Sequence, residues 1–146
     1  VFVDGIDVVA DPEAVRPWQY VLEPIRGYMM LAQRMYKDPA GFSGSWNFGP
    51  MRSSMIPVGE VVEKIIYLCG SGRWYARSKA GQPHEAGLLY LNADKARNRL
   101  SWDSVLSIDE ALEFTVRWYK RAAKSYQNCL EEIDDYCTLI NQRRAG

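Results

Sequence analysis

The sequence predicts a small α/β domain made of four or five helices and a few short strands. Several stretches carry apolar residues at the three- and four-residue spacing of an amphipathic helix, and short extended segments bounded by glycine and proline lie between them. The length of 146 residues is that of one domain, which can bury about two-thirds of its unfolded surface. We therefore expect a single domain over residues 1–146.

The N-terminal part is predicted to contain extended segments and one helix. Val8 and Val9 indicate a short strand, and residues 15–20 mix arginine, proline and aromatic side chains in a way that favours extended chain. Proline is tolerated in the first turn of a helix, so Pro24 predicts a helix that ends near Lys37. The apolar face of this helix consists of Ile25, Met29, Ala32, Met35 and Tyr36.

A loop at residues 41–44 separates this helix from a second unit. The alternation in Trp46-Asn47-Phe48 predicts a short strand, which Gly49-Pro50 ends. A second helix should begin at Pro57 and stop at Gly70-Ser71-Gly72. Its expected buried stripe consists of Val58, Val61, Val62, Ile65, Ile66 and Cys69.

The C-terminal half is predicted to be mainly helical. A strand at 73–76, a loop at 78–87 and a strand at 88–91 lead into a short helix at 94–100. Ser107 and Glu110 have the spacing of a capping box, in which two side chains satisfy backbone N–H groups at a helix start. Asn128 and Glu131 repeat that spacing and predict the start of a terminal helix.

Composition and charge argue against several classes of function. Eighteen basic and eighteen acidic residues leave no net charge, which gives no support for nucleic-acid binding. No apolar run reaches membrane-spanning length, and three cysteines with one histidine lack the spacing of a zinc site, so free thiols in a reducing, cytoplasmic setting are expected. The chain begins at Val1 without a methionine, which favours a fragment of a longer protein.

Three segments of the sequence resemble one family closely. Residues 15–24 (VRPWQYVLEP), 46–50 (WNFGP) and 83–86 (PHEA) are similar to the C-terminal part of CDP-glucose 4,6-dehydratases, which are extended short-chain dehydrogenase/reductases acting on nucleotide sugars. The resemblance implies an α/β substrate-binding portion that lacks the Rossmann cofactor half. The sequence departs from the family pattern at Asn92, Ser101 and 51–54, so details of the pocket stay open.

Arg16 is the first candidate for substrate binding. A diphosphate needs a permanent cation with fixed donors, which a guanidinium supplies, although spacing alone does not favour Arg16 over Arg26 or Arg52. The resemblance does favour it, because related enzymes place the arginine of an Arg-x-aromatic-x-x-Val segment against the substrate phosphates. Arg16-Pro17-Trp18-Gln19-Tyr20-Val21 matches that segment.

Further candidate binding residues lie beside Arg16 and Gln19. The resemblance implies that Asn47 belongs to a stretch that closes on the sugar-nucleotide pocket. Trp18 and Tyr20 are aromatic candidates for stacking on the base, and packing in the core is the more common alternative for such side chains. His84 and Glu85 lie in a loop whose acidic residue holds the ribose in related enzymes. Gln82 stands where that loop usually has a phosphate-binding arginine, and a plain solvated loop remains the alternative.

No cofactor or metal site is predicted in this chain. Gly70-Ser71-Gly72 ends a helix, whereas a dinucleotide-binding glycine loop opens one. Tyr75 and Lys79 have the Tyr-x-x-x-Lys spacing of a short-chain dehydrogenase, but glycines and a proline bound their segment, so a shared helical face is not expected. We interpret that spacing as coincidental and assign no catalytic residue.

The family implies a reaction for the complete enzyme. That enzyme would use NAD to convert CDP-glucose into CDP-4-keto-6-deoxyglucose, a lyase reaction that supplies deoxysugars for O-antigen and other surface polysaccharides, and it would form a homodimer. One alternative is an epimerase or reductase acting on another nucleotide sugar. Another is a non-catalytic binding or interaction domain that has lost its catalytic half.

Overall fold

The computed structural model describes residues 6–8, 11–76, 87–121 and 125–145. Six α-helices and four short strands lie in these ranges, which agrees with the predicted α/β class. In chain order they are β1 (Ile6–Val8), β2 (Val15–Pro17), α1 (Leu22–Lys37), α2 (Pro39–Phe42), β3 (Met55–Pro57), α3 (Val58–Cys69), β4 (Trp74–Ala76), α4 (Asp94–Leu100), α5 (Ile108–Lys120) and α6 (Tyr126–Ala145). A 3₁₀ turn at Arg52–Ser54 leads into β3.

The strands form two separate pairs. β1 runs parallel to β4, and β2 runs antiparallel to β3 with Arg16 opposite Ile56. Two predicted strands are wrong. Residues 46–48 belong to no strand of the described structure, and of residues 88–91 only Leu88 forms an isolated bridge, to Val15.

Most helix boundaries agree with the local signals. α3 follows Pro57 and ends at Gly70, and α4 spans the predicted residues. The capping box at α5 is confirmed, since the Glu110 N–H donates to Ser107 Oγ at 3.3 Å and the Ser107 N–H donates to Glu110 Oε2 at 2.8 Å. The predicted loop at 41–44 is partly wrong, because α2 extends through Phe42.

The predicted start of the terminal helix at Asn128 is wrong. α6 begins at Tyr126, and the Asn128 N–H donates to Ser125 Oγ at 3.2 Å, so the serine three residues earlier acts as the cap. Glu131 is not part of that cap and instead forms an ion pair of 2.8 Å with Arg121. Both serine and asparagine are good caps, and the sequence pattern selected the wrong one.

The core consists of three clusters of buried side chains. The first joins Tyr20 to α5 and α6, the second joins Phe48 to α4 and Trp102, and the third joins α3 to α5. The second cluster holds the 46–50 segment against α1, because the Phe48 ring packs directly on Gly27. A Cβ at that position would lie 2.3 Å from Phe48 Cδ1, so a larger residue would push the ring away.

The predicted apolar face of α1 does not point into this core. Glu23 and Gly27 are the buried residues of the helix, whereas Met29 is 70% and Tyr36 is 93% exposed. Val21, Ile25 and Tyr28 add to the same exposed apolar surface, which we call the α1 face. A contiguous apolar surface on a helix usually marks a contact with another protein element.

Candidate functional site

Arg16 lies in the middle of a three-segment arrangement. β3 pairs with one edge of β2, and residues 87–89 lie along the other edge, where the Val15 N–H donates to Gly87 O at 2.7 Å and the Leu89 N–H donates to Val15 O at 3.2 Å. The Arg16 side chain is half-buried, and its Nη1 donates to Val15 O at 2.9 Å. Backbone pairing on both edges of β2 therefore fixes the Arg16 backbone, and the bond to Val15 O restrains its guanidinium.

His84 and Glu85 lie in residues 77–86, outside the described residues. Gly87 is the first described residue after them, and its carbonyl accepts the hydrogen bond from Val15. The chain thus enters the described structure directly beside β2, one residue from Arg16. The roles of His84 and Glu85 stay predictions.

Gln19 connects the two family-like segments. Its Nε2 donates to Phe48 O at 2.8 Å, which ties residues 15–20 to residues 46–50. Its Oε1 is buried and has no hydrogen-bond partner among the described residues. We therefore interpret Gln19 first as a positioning residue, with an acceptor left for a further donor.

Asn47 has an exposed side chain between two anchored aromatic residues. Phe48 is buried, and Trp46 Nε1 donates to Phe42 O at 2.9 Å. Gly49 permits a close approach to the chain beyond Tyr90, because a Cβ there would lie 2.8 Å from Leu91 O. The 46–50 segment is thus held on both sides while the Asn47 amide faces solvent, as a ligand contact requires.

Tyr20 belongs to the core. It is 6% exposed, and its hydroxyl donates to Glu132 Oε2 at 3.2 Å. Burial raises the pKa of the Tyr20 phenol well above its ordinary value, and the negative charge of Glu132 raises it further. This location favours packing in the core over stacking on a base, so Tyr20 is a structural residue next to the site in sequence.

The remaining candidates are also located. Tyr75 lies exposed in β4, not in a helix, and Lys79 lies outside the described residues.

The three cysteines are free thiols, and no group of three or more metal-ligating side chains occurs in the described ranges. No helix in those ranges has the length and apolar character needed to cross a membrane. Spacing alone did not separate Arg52 from Arg16 as a candidate, and the Arg52 guanidinium lies over the Tyr90 ring beyond the Pro17 end of β2.

Comparison with known proteins gives two informative matches. No protein-family model matches the chain. A CDP-glucose 4,6-dehydratase of Salmonella typhimurium (strain LT2) is 36% identical over 138 residues, which are 92% of this chain and 38% of that protein. A dTDP-glucose 4,6-dehydratase of Bacillus anthracis str. Ames, solved in complex with NAD, matches with a TM-score of 0.64 at 22% identity, over 85% of this chain and 37% of that one. The chain therefore spans less than two-fifths of the length of these relatives.

Proposed function

Because this chain is related in sequence to part of a CDP-glucose 4,6-dehydratase and in fold to part of an extended short-chain dehydrogenase/reductase, we propose that it is the substrate-binding portion of such a dehydratase. The resemblance found in residues 15–24, 46–50 and 83–86 is thereby confirmed. The proposed substrate is CDP-glucose, and the proposed product of the complete enzyme is CDP-4-keto-6-deoxyglucose.

The observation that carries this proposal is the position of Arg16. Its strand is fixed on both edges, and Gln19 brings the 46–50 segment to the same region. A half-buried guanidinium held in this way can bind a diphosphate through two parallel hydrogen bonds. In this proposal Asn47 contacts the nucleotide sugar from the neighbouring segment, and His84 and Glu85 reach it from the loop that ends at Gly87.

The described residues do not fit NAD. A dinucleotide is normally held by a glycine-rich turn between a strand and the start of a helix, and Gly70 to Gly72 instead follow the end of α3. The solved relative contains NAD, which supplies and takes back a hydride in redox enzymes. We therefore assign NAD binding and catalysis to the part of the enzyme outside this chain.

We expect the 146-residue chain alone to show no NAD binding in titration calorimetry at millimolar cofactor. The physical reason is the lack of a phosphate-binding glycine turn in its described part. CDP-glucose serves as the companion ligand in the same experiment. One-to-one binding of NAD would contradict the assignment of the cofactor to the other half.

The exposed α1 face suggests where the rest of the enzyme packs. Its apolar side chains continue into a groove of about 530 Å³ between α1 and α6, lined by Ile25, Met29 and Ile133 among others. Since the chain spans only 38% of its dehydratase relative, we propose that the cofactor half covers this face. The complete enzyme is proposed to be a homodimer.

In the full-length protein, Arg16→Ala is expected to weaken CDP-glucose binding by about 1.5–3 kcal/mol, the usual contribution of a hydrogen bond to a charged group. Arg16→Lys should recover only part of the loss, because an ammonium cannot form the bidentate contact. Calorimetry with CDP-glucose measures both. Arg34→Ala is the matched control, since this arginine carries the same charge and lies exposed near the end of α1.

Ligand choice separates the alternatives. The dehydratase proposal predicts that CDP-glucose binds more tightly than nucleotide sugars carrying other bases, and that the full-length protein converts it. Tighter binding of another nucleotide sugar would favour the epimerase or reductase. Binding without any turnover would favour the non-catalytic domain, and undiminished CDP-glucose binding by both Arg16 variants would remove Arg16 from the site.

A further inference from the structure

A second arginine, Arg52, lies beyond the Pro17 end of β2, and Pro17 directly follows Arg16. Pro17 is opposite Met55, so the 3₁₀ turn that contains Arg52 lies just beyond the Pro17 end of this strand pair. On the other edge, Leu88 is bridged to Val15 and runs parallel to β2. Two residues further along, Tyr90 therefore reaches the same end from the opposite side.

Arg52 spans this end of the sheet. Its guanidinium carbon is 5.4 Å from the centre of the Tyr90 ring, which is the distance of a cation–π contact. Both side chains are exposed, Tyr90 to 39%, and no carboxylate in the described ranges pairs with Arg52. Arg97 and Arg117, by contrast, each form ion pairs with two acidic residues.

The stacked geometry matters for binding an anion. A ring contact restrains the guanidinium without using its N–H groups as hydrogen-bond donors. A cation that is already oriented loses less conformational entropy on binding than a mobile surface arginine. The Tyr90 segment is itself anchored, because Leu91 packs against Gly49.

We propose that Arg52, oriented by Tyr90, is a second phosphate-binding residue of the nucleotide-sugar site. This inference rests on the proposed function and adds a residue to the same site. A sugar nucleotide carries a negative charge on each of its two phosphates, and Arg16 alone matches one of them. Arg52 reaches the site from the edge opposite to the 87–89 segment and supplies the second charge.

The test compares three ligands that differ in phosphate content. In the full-length protein, Arg52→Gln is expected to raise the Kd of CDP-glucose and of CDP by roughly tenfold or more, as loss of a hydrogen bond to a charged group does. The affinity for cytidine, which has no phosphate, should stay within about twofold. Arg34→Gln removes the same charge from an exposed position near the end of α1 and should leave all three affinities unchanged.

Tyr90 variants test the orienting role. Tyr90→Phe keeps the ring and should bind CDP-glucose like the parent, whereas Tyr90→Leu should reproduce part of the Arg52→Gln loss. In the Arg52→Gln background, Tyr90→Leu should have no further effect on CDP affinity, because the two residues act through one contact.

Failure of the Arg52 inference can be distinguished from failure of the proposed function. If the parent protein binds CDP-glucose and Arg52→Gln binds it equally well, the inference about Arg52 is wrong and the proposed function stands. An equal loss for cytidine and CDP in Arg52→Gln would also overturn it, because the effect would then be structural. If the parent binds no CDP-glucose, the proposed function itself fails.

Discussion

Replacing Glu23 by alanine is expected to lower the free energy of unfolding by about 3–5 kcal/mol, the range found when one partner of a buried ion pair is removed. Glu23 is 0% exposed, and its Oε1 accepts hydrogen bonds from the N–H groups of Val105 and Leu106 at 2.9 and 2.8 Å. Its Oε2 lies 3.6 Å from Arg26. The alanine variant would leave two N–H groups without their acceptor and one guanidinium without its counter-ion.

Glu23→Gln is the matched control. The amide oxygen can still accept from one or both N–H groups while the negative charge is lost, so we expect a loss clearly smaller than that of Glu23→Ala. Urea unfolding of both variants, with the m-value checked for constancy, measures the difference. A loss below about 1 kcal/mol for Glu23→Ala would show that water replaces the carboxylate at no great cost.

Trp102→Ala is expected to cost about 3–5 kcal/mol of stability, the usual range for removing a large aromatic side chain from a core. Trp102 is fully buried, and its ring meets Phe48 edge-to-face at 5.0 Å. Its Nε1 donates to Glu23 O at 3.2 Å, so the residue joins α1 to the loop before α5. The variant would leave a cavity beneath the 46–50 segment.

Trp102→Phe separates packing from hydrogen bonding. The phenyl ring fills most of the site but cannot donate to Glu23 O, so the expected loss is smaller than that of the alanine variant. Thermal unfolding measures both variants, followed by the far-UV circular dichroism of the helices and not by tryptophan fluorescence, which the substitutions change. Because Trp102 and Glu23 contact each other, the double alanine variant should lose less than the sum of the single losses. An additive result would mean that the two residues act in separate parts of the core.

The candidate site depends on this core in a specific way. Phe48 is held by Gly27, Trp102 and the hydrogen bond from Gln19, and Asn47 is its neighbour in the chain. Loss of Trp102 should therefore weaken CDP-glucose binding through displacement of Asn47, without removing a group that touches the ligand. Arg16 is anchored separately by β3 and residues 87–89, so its contribution should persist in that variant.

Local sequence signals were sufficient to locate several helix ends. Pro57, Gly70 and the pair Ser107 and Glu110 act on backbone groups within a few residues, so their effect can be read without knowledge of the fold. Motif resemblance likewise indicated the related dehydratase, because that conclusion needs only the order of residues. It also made Arg16 the leading candidate for phosphate binding, which stays a prediction.

The buried faces and the pairing of segments, by contrast, depend on contacts between distant parts of the folded chain. Residues 46–48 have the alternating pattern of a strand, but they pair with no other strand in the described structure. Phe48 O instead accepts a hydrogen bond from the side chain of Gln19. The apolar residues of α1 predicted that their side of the helix faces the core, but the side that carries Glu23 is buried instead. The Glu23 carboxylate accepts hydrogen bonds there from two N–H groups more than 80 residues away in sequence. Burial and long-range hydrogen bonding depend on partners distant in the chain, so periodicity alone could not reveal them.

The same reason explains why Arg52 was not singled out from the sequence. No local pattern links it to Tyr90, and their contact exists only because β3 and residues 87–89 lie on opposite edges of β2. Local rules act over a few residues and fix where elements begin and end, whereas a binding site is built from residues that only the folded chain brings together.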